Sequence, residues 1–162
     1  MSQMQSADIE SGVIDLLRTG LGQTIQVESL GINDINDDGQ LIATPPCVRT
    51  KYVGCRYPMM HDNTATSYDA APVLHIWCAD EDLTSAEAQR EASKRVLDLV
   101  KPVLAGARIP LSDDGTTTEP IILIEDGIFM QDFLGSVYVL TIQVPGIAQY
   151  PGTYAGVSGS ED

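Results

Sequence analysis

Positive charge is what this sequence has least of. Nine Lys and Arg stand against 23 Asp and Glu, a formal net charge of −14. A surface so acidic repels a phosphate backbone, which excludes a protein that grips nucleic acid in a basic groove, though not one that encloses it without holding it. Histidine is scarce as well. The chain has two, His61 and His75, and neither sits in a G-x-S-x-G or similar nucleophile setting. No glycine-rich phosphate loop follows a strand pattern. Apolar runs fall short of the roughly 18–20 residues a membrane span needs, and the N-terminus lacks the basic start and apolar core of a signal peptide. The three cysteines, Cys47, Cys55 and Cys78, form no C-x-x-C pair. That number and spacing suit a reducing cytoplasm better than a disulfide framework. The expectation is a protein with no membrane span, no metal, no cofactor and no enzymatic activity.

What is present is the pattern of one folded domain. At 162 residues with 43% hydrophobic content, the chain can bury a single sizeable core. Its clearest element is a helix predicted over 84–104, opened by Thr84-Ser-Ala-Glu87 as a capping box. Ala88, Ala92, Val96, Leu99, Val100 and Val103 recur at steps of three and four and define its apolar stripe. Pro102 bends or ends the last turn, and Gly106 stops it. A shorter helix is predicted near the N-terminus, capped by Asp8, with Ile9, Val13, Leu16 and Leu17 inward and Ile14 broadening the stripe.

Alternation predicts strands over 24–30 and 47–57, and an apolar run predicts a central strand over 72–78 covered on both faces. Further strands fall at 121–124, 128–130 and 136–144, with Glu125-Asp-Gly127 as a tight turn or a bulge. Polar segments at 31–46 and 58–71 read as loops, and 146–162 reads as a flexible C-terminal arm beyond a domain spanning 1–145. The fold class is α+β, a mixed or mostly antiparallel sheet with an N-terminal helix and one long helix packed on it.

Three constellations bear on chemistry. Asp34-Ile-Asn36-Asp-Asp38-Gly39 matches the opening of a calcium loop, but position twelve is Pro45 where a bidentate Glu belongs. A polar turn with Asn and Asp bonding their own backbone fits better. A zinc site would have to draw on Cys47, Cys55, His61, His75 and Cys78. His75 and Cys78 lie three apart on a strand and so point to opposite faces. Arg49, Lys51 and Arg56 gather three of the nine positive charges on one strand. They fit either an edge defended by charge or a surface that meets the acidic flank of an identical neighbour.

The order of parts resembles the tail-terminator (tail-completion) proteins of Mu-like and other long-tailed phages. The resemblance rests on the helix from Ala7, the strand Val73-Leu-His-Ile-Trp-Cys78 ending in acidic residues, the helix from Ser85 to Val100, and the closing strands at 121–124 and 137–144. It covers about residues 7 to 145 of the sequence. It implies a non-enzymatic virion protein, assembled in the host cytoplasm as a ring, usually of six subunits. Such a ring caps the head-proximal end of the tail, ends polymerisation of the tube and of any sheath, and offers a surface to the connector or neck. DNA would slide through its acidic lumen without being bound. Candidate contact residues are Arg49, Lys51, Arg56, His61, Tyr150 and Tyr154. The alternatives are a neck or head-completion protein and, from a different class, a calcium- or ligand-binding module built on 34–38.

Overall fold

The structure, a computed structural model, describes residues 4–81, 84–111, 115–131 and 136–150. The N-terminal helix α1 (Ser6–Leu21) buries Ile9, Val13 and Leu17, each one turn beyond the last. It starts ahead of the expected cap: Gln5 occupies the N-cap without a side-chain bond, and Asp8 lies in the first turn, where its charge suits the helix dipole. Gly22 closes it at φ +76, and its amide donates to the Arg18 carbonyl at 3.2 Å.

Helix α2 (Ala86–Leu104) begins one or two residues later than its sequence signature suggests. Ser85, not Thr84, supplies the N-cap, its hydroxyl accepting from the Ala88 amide at 3.0 Å. The buried face also differs. Ala92, Val96, Leu97, Val100 and Leu104 are buried, whereas Leu99 is 52% exposed. The reason lies in two polar residues, Gln89 and Ser93, that occupy the middle of the buried arc. The Ser93 hydroxyl donates to the Ser136 carbonyl at 2.7 Å and accepts from the Asp80 amide at 3.2 Å, and Gln89 Nε2 donates to the Asp80 carbonyl. A stripe drawn through apolar residues alone misses that centre and drifts toward Leu99.

One mixed sheet receives both helices. Its order is β1 (Gln26–Ser29), β2 (Cys47–Met60), β3 (Ser67–Ala79), β5 (Ser136–Gln143), β4 (Ile122–Gln131), with β6 (Gly146–Gln149) also on β3. β1 runs parallel to β2, and the other pairings are antiparallel. The expected loop at 58–71 is largely strand. β2 extends to Met60 and β3 begins at Ser67, leaving a short turn between them. The polar residues that suggested a loop cluster around the turn at 61–66 and the strand ends beside it.

β6 likewise falls inside the segment read as an arm. Two prolines explain why the ladder along β3 is split there. Pro72 lacks an amide, and Pro145 ends β5; the Val144 amide bonds to the Pro72 carbonyl at 2.8 Å, and pairing resumes at Ala70↔Gly146. Residues 151–162, including Tyr154, lie outside the described residues. The 125–127 segment does not end a strand. It lies within β4, with register shifts between Leu123 and Glu125 and between Ile128 and Met130.

The sheet's two faces are unequally covered. Val48, Leu74, Ile76, Cys78, Leu140 and Ile142 join both helices in the main core. On the other face, Cys47, Trp77, Ala79 and Val137 form a smaller cluster closed by Leu30, Ile35, Leu41 and Ala43 from the 30–43 loop. The central strand is thus covered twice only at one end.

Candidate assembly surface

Arg49 is placed apart from the other candidate contact residues. It is 2% exposed, on the face closed by the 30–43 loop. Its Nη1 donates to the carbonyls of Gln26 and Val48 at 3.2 and 3.1 Å, and Nη2 to Gln26 Oε1 at 2.7 Å. Nε lies 3.3 Å from Asp34 Oδ2 but out of line for a hydrogen bond, so that contact is coulombic. The guanidinium ties β1 and the loop to β2 within the subunit.

Lys51 and Arg56 behave differently. A strand of regular pleat would send Arg56 to the face opposite Lys51. A register shift between Tyr52 and Gly54 restores it: Lys51 pairs with His75, Gly54 with Val73 and Arg56 with Ala71, alternate residues along one face of β3. Both cations are exposed, and neither makes an ion pair among the described residues.

Of the remaining candidates, His61 and Tyr150 both lie toward the far end of the β2–β3 hairpin, where the Tyr150 amide donates to the Thr66 carbonyl. His61 Nε2 lies 2.5 Å from Asp69 Oδ1, and the His61 amide donates to the Ser67 carbonyl at 2.7 Å. The turn is closed by Asp62, which accepts from the Thr66 amide and hydroxyl at 2.9 and 2.6 Å. These bonds, led by the Thr66 hydroxyl, lower its pKa to about 2. Tyr150 packs edge-on to Tyr57, with ring centroids 6.3 Å apart and their hydroxyls 2.9 Å apart. Tyr68 completes the cluster at 5.6 Å from Tyr57. Bonding to Tyr150, then burial, pushes the Tyr57 hydroxyl's pKa upward. Burial does the same for Tyr52, to about 12.

The opposite edge holds a surface that the sequence reading did not single out. β4 exposes Ile122, Ile124, Ile128 and Phe129, the last at 55%. Phe129 covers Trp77 with ring centroids 4.5 Å apart. Asp126 is held by Lys101 of α2 at 2.8 Å, an interaction that raises the lysine's pKa, while Glu125 has no ion-pair partner among the described residues. The available signal was the unbroken run of isoleucine and leucine at 121–124, which an edge strand covered on one face cannot bury on both sides.

The described residues form several concavities. A groove of about 790 Å³ between α1 and the 103–111 segment is lined by Asp8, Asp15, Leu16 and Val103, with no histidine, cysteine or lysine among the described residues of its walls. A smaller recess of about 290 Å³ adjoins His75, Glu125, Phe129 and Thr141. Burial, then Lys51, lowers the His75 pKa, and no hydrogen bond joins it to Thr141 or Glu125.

In the 34–39 segment, Asn36 Oδ1 accepts from the amides of Asp38 and Gln40 at 3.0 and 2.8 Å, and Gly39 turns at φ +79. Asp34 is engaged by the Gly31 amide at 2.8 Å and by Arg49. This is a turn closed by its own side chains. Among the described residues no group of three or more His, Cys, Asp or Glu is disposed to hold a metal ion.

These features define an α+β domain with one mixed sheet, helices on one face and exposed apolar side chains along the edge strand β4. No protein-family model matches the sequence, and no curated protein matches it. Among solved structures, a chain described as part of the "Virion of native gene transfer agent (GTA) particle" is similar in fold, with a TM-score of 0.57 at 10% identity. The likeness covers 89% of this chain and 98% of that one. Among the described residues no helix is long and apolar enough to cross a membrane.

Proposed function

We propose that the chain is a structural virion protein that closes the head-proximal end of a phage-type tail as a ring. The observation that carries this reading is the fold shared with a gene transfer agent virion chain over 98% of that chain's length. Two further features support it. Large apolar side chains are exposed on opposite edges of the sheet, on β2 and on β4, as a subunit needs for contacts that repeat around a ring. A net charge of −14 suits a lumen through which DNA passes without sticking. In this reading the ring, probed first for six subunits, ends growth of the tail tube and of any sheath and presents its other side to the connector. Its site is the virion's tail or neck, with assembly in the host cytoplasm and no role as an enzyme.

The test is to purify the protein, measure its mass by light scattering, and add it to growing tail tubes. A ring-sized species, or a monomer that becomes a ring at the tube's end and stops elongation, supports the proposal. Binding to the portal side alone moves the protein to a neck role. A monomer that ignores tubes defeats the reading.

A further inference from the structure

The geometry points to a contact between copies in which the free half of β2 on one subunit meets β4 on the next. Both are edges of the same sheet. β1 covers β2 only from Cys47 to Thr50, so among the described residues the outer side of 51–60 has no strand partner, and β4 ends the opposite side of the order. Among the described residues, most exposed large apolar side chains lie on these two strands. Val53, Tyr57, Met59 and Met60 are on β2, and Ile122, Ile124, Ile128 and Phe129 on β4.

Charge gives the pair its sense. Residues 51–60 contain Lys51 and Arg56 and no acid, in a chain of net charge −14. Residues 122–131 contain Glu125 and Asp126 and no base. Two β2 edges would set cation against cation, and two β4 edges carboxylate against carboxylate, so like edges repel and unlike edges attract. Because the two surfaces differ, the contact is head-to-tail, the kind that closes a ring when the rotation permits.

Pro58 and the register shifts on both strands interrupt the regular backbone ladder. They oppose unlimited strand addition, so the contact works through side chains. The proposal rests on the ring reading above and adds which surfaces meet.

A charge swap tests it. Lys51→Glu with Arg56→Glu makes both edges of a subunit acidic, and Glu125→Lys removes the acidic edge's unpaired carboxylate and substitutes a base. Each variant alone should raise the concentration for half-assembly about tenfold or more in light scattering, since like charges then face each other. An equimolar mixture should recover assembly, with the two variants alternating. The milder Lys51→Gln with Arg56→Gln should weaken assembly less, and circular dichroism of every variant should match the parent. Rings that form unchanged in both charge variants overturn this contact while leaving the ring reading intact. Loss of assembly without recovery on mixing also overturns it. A parent protein that never assembles, even with tail tubes, removes the ring reading itself.

Discussion

Replacing Arg49 with Met separates a structural cation from the surface cations beside it. The guanidinium makes three hydrogen bonds within the subunit, to Gln26 twice and to Val48 once. At about 1.5 kcal/mol each for a charged donor, they sum to about 4.5 kcal/mol. Part of that is recovered: Asp34 is 18% exposed and Glu28 52%, so both carboxylates can rehydrate when the cation goes. Methionine also retains most of the stem's packing. The expected loss is about 3 kcal/mol, at the lower end for breaking a buried pair by removing one partner. Against a total of about 5–15 kcal/mol for a domain, that is a large fraction. Urea unfolding followed by circular dichroism measures it, with Arg56→Gln as the control expected within about 0.5 kcal/mol of the parent. A loss below about 1 kcal/mol for Arg49→Met would refute the reasoning, because water would then serve the three acceptors as well as the guanidinium does.

Three other outcomes follow from the packing and the titrating groups. A Cβ at Gly12 would run into the Ile109 side chain, so Gly12→Val should cost about 1–3 kcal/mol by overpacking, read as a lower urea midpoint with an unchanged slope. The Asp62 carboxyl should titrate at about 2 by carbon NMR. Its folded value is depressed below the ordinary 3.8, so its stabilisation of the 62–66 turn is present above 3.8 and lost as pH falls through about 2. A midpoint near 3.8 would show the Thr66 bonds to be absent in solution. Phe129→Ala should uncover the only tryptophan, Trp77, which is 4% exposed beneath that ring, and shift its emission to longer wavelength. Loss of the ring pair should also cost about 1 kcal/mol, and an unmoved emission maximum would mean that other side chains exclude water from Trp77.

Period and composition determined much on their own. Ile9, Val13 and Leu17 are one turn apart in the chain and are buried on one face of α1. The central strand is legible in the apolar run at 72–78, and the α+β class follows from the order of such segments. Asn36 and Gly39 likewise make a turn from bonds to their own neighbours, without help from the rest of the fold. What only tertiary structure decided depends on partners distant in sequence. Ser93 and Gln89 lie in the buried arc of α2 because the Ser136 and Asp80 carbonyls are there to bond them. Arg49, read as a surface charge, is buried because Gln26 and Asp34 come to it from other elements. Arg56 joins the face of Lys51 through a register shift that an alternating pattern does not encode. β4 exposes its isoleucines because the sheet ends there, and a strand's own residues do not say whether another strand will lie beside it.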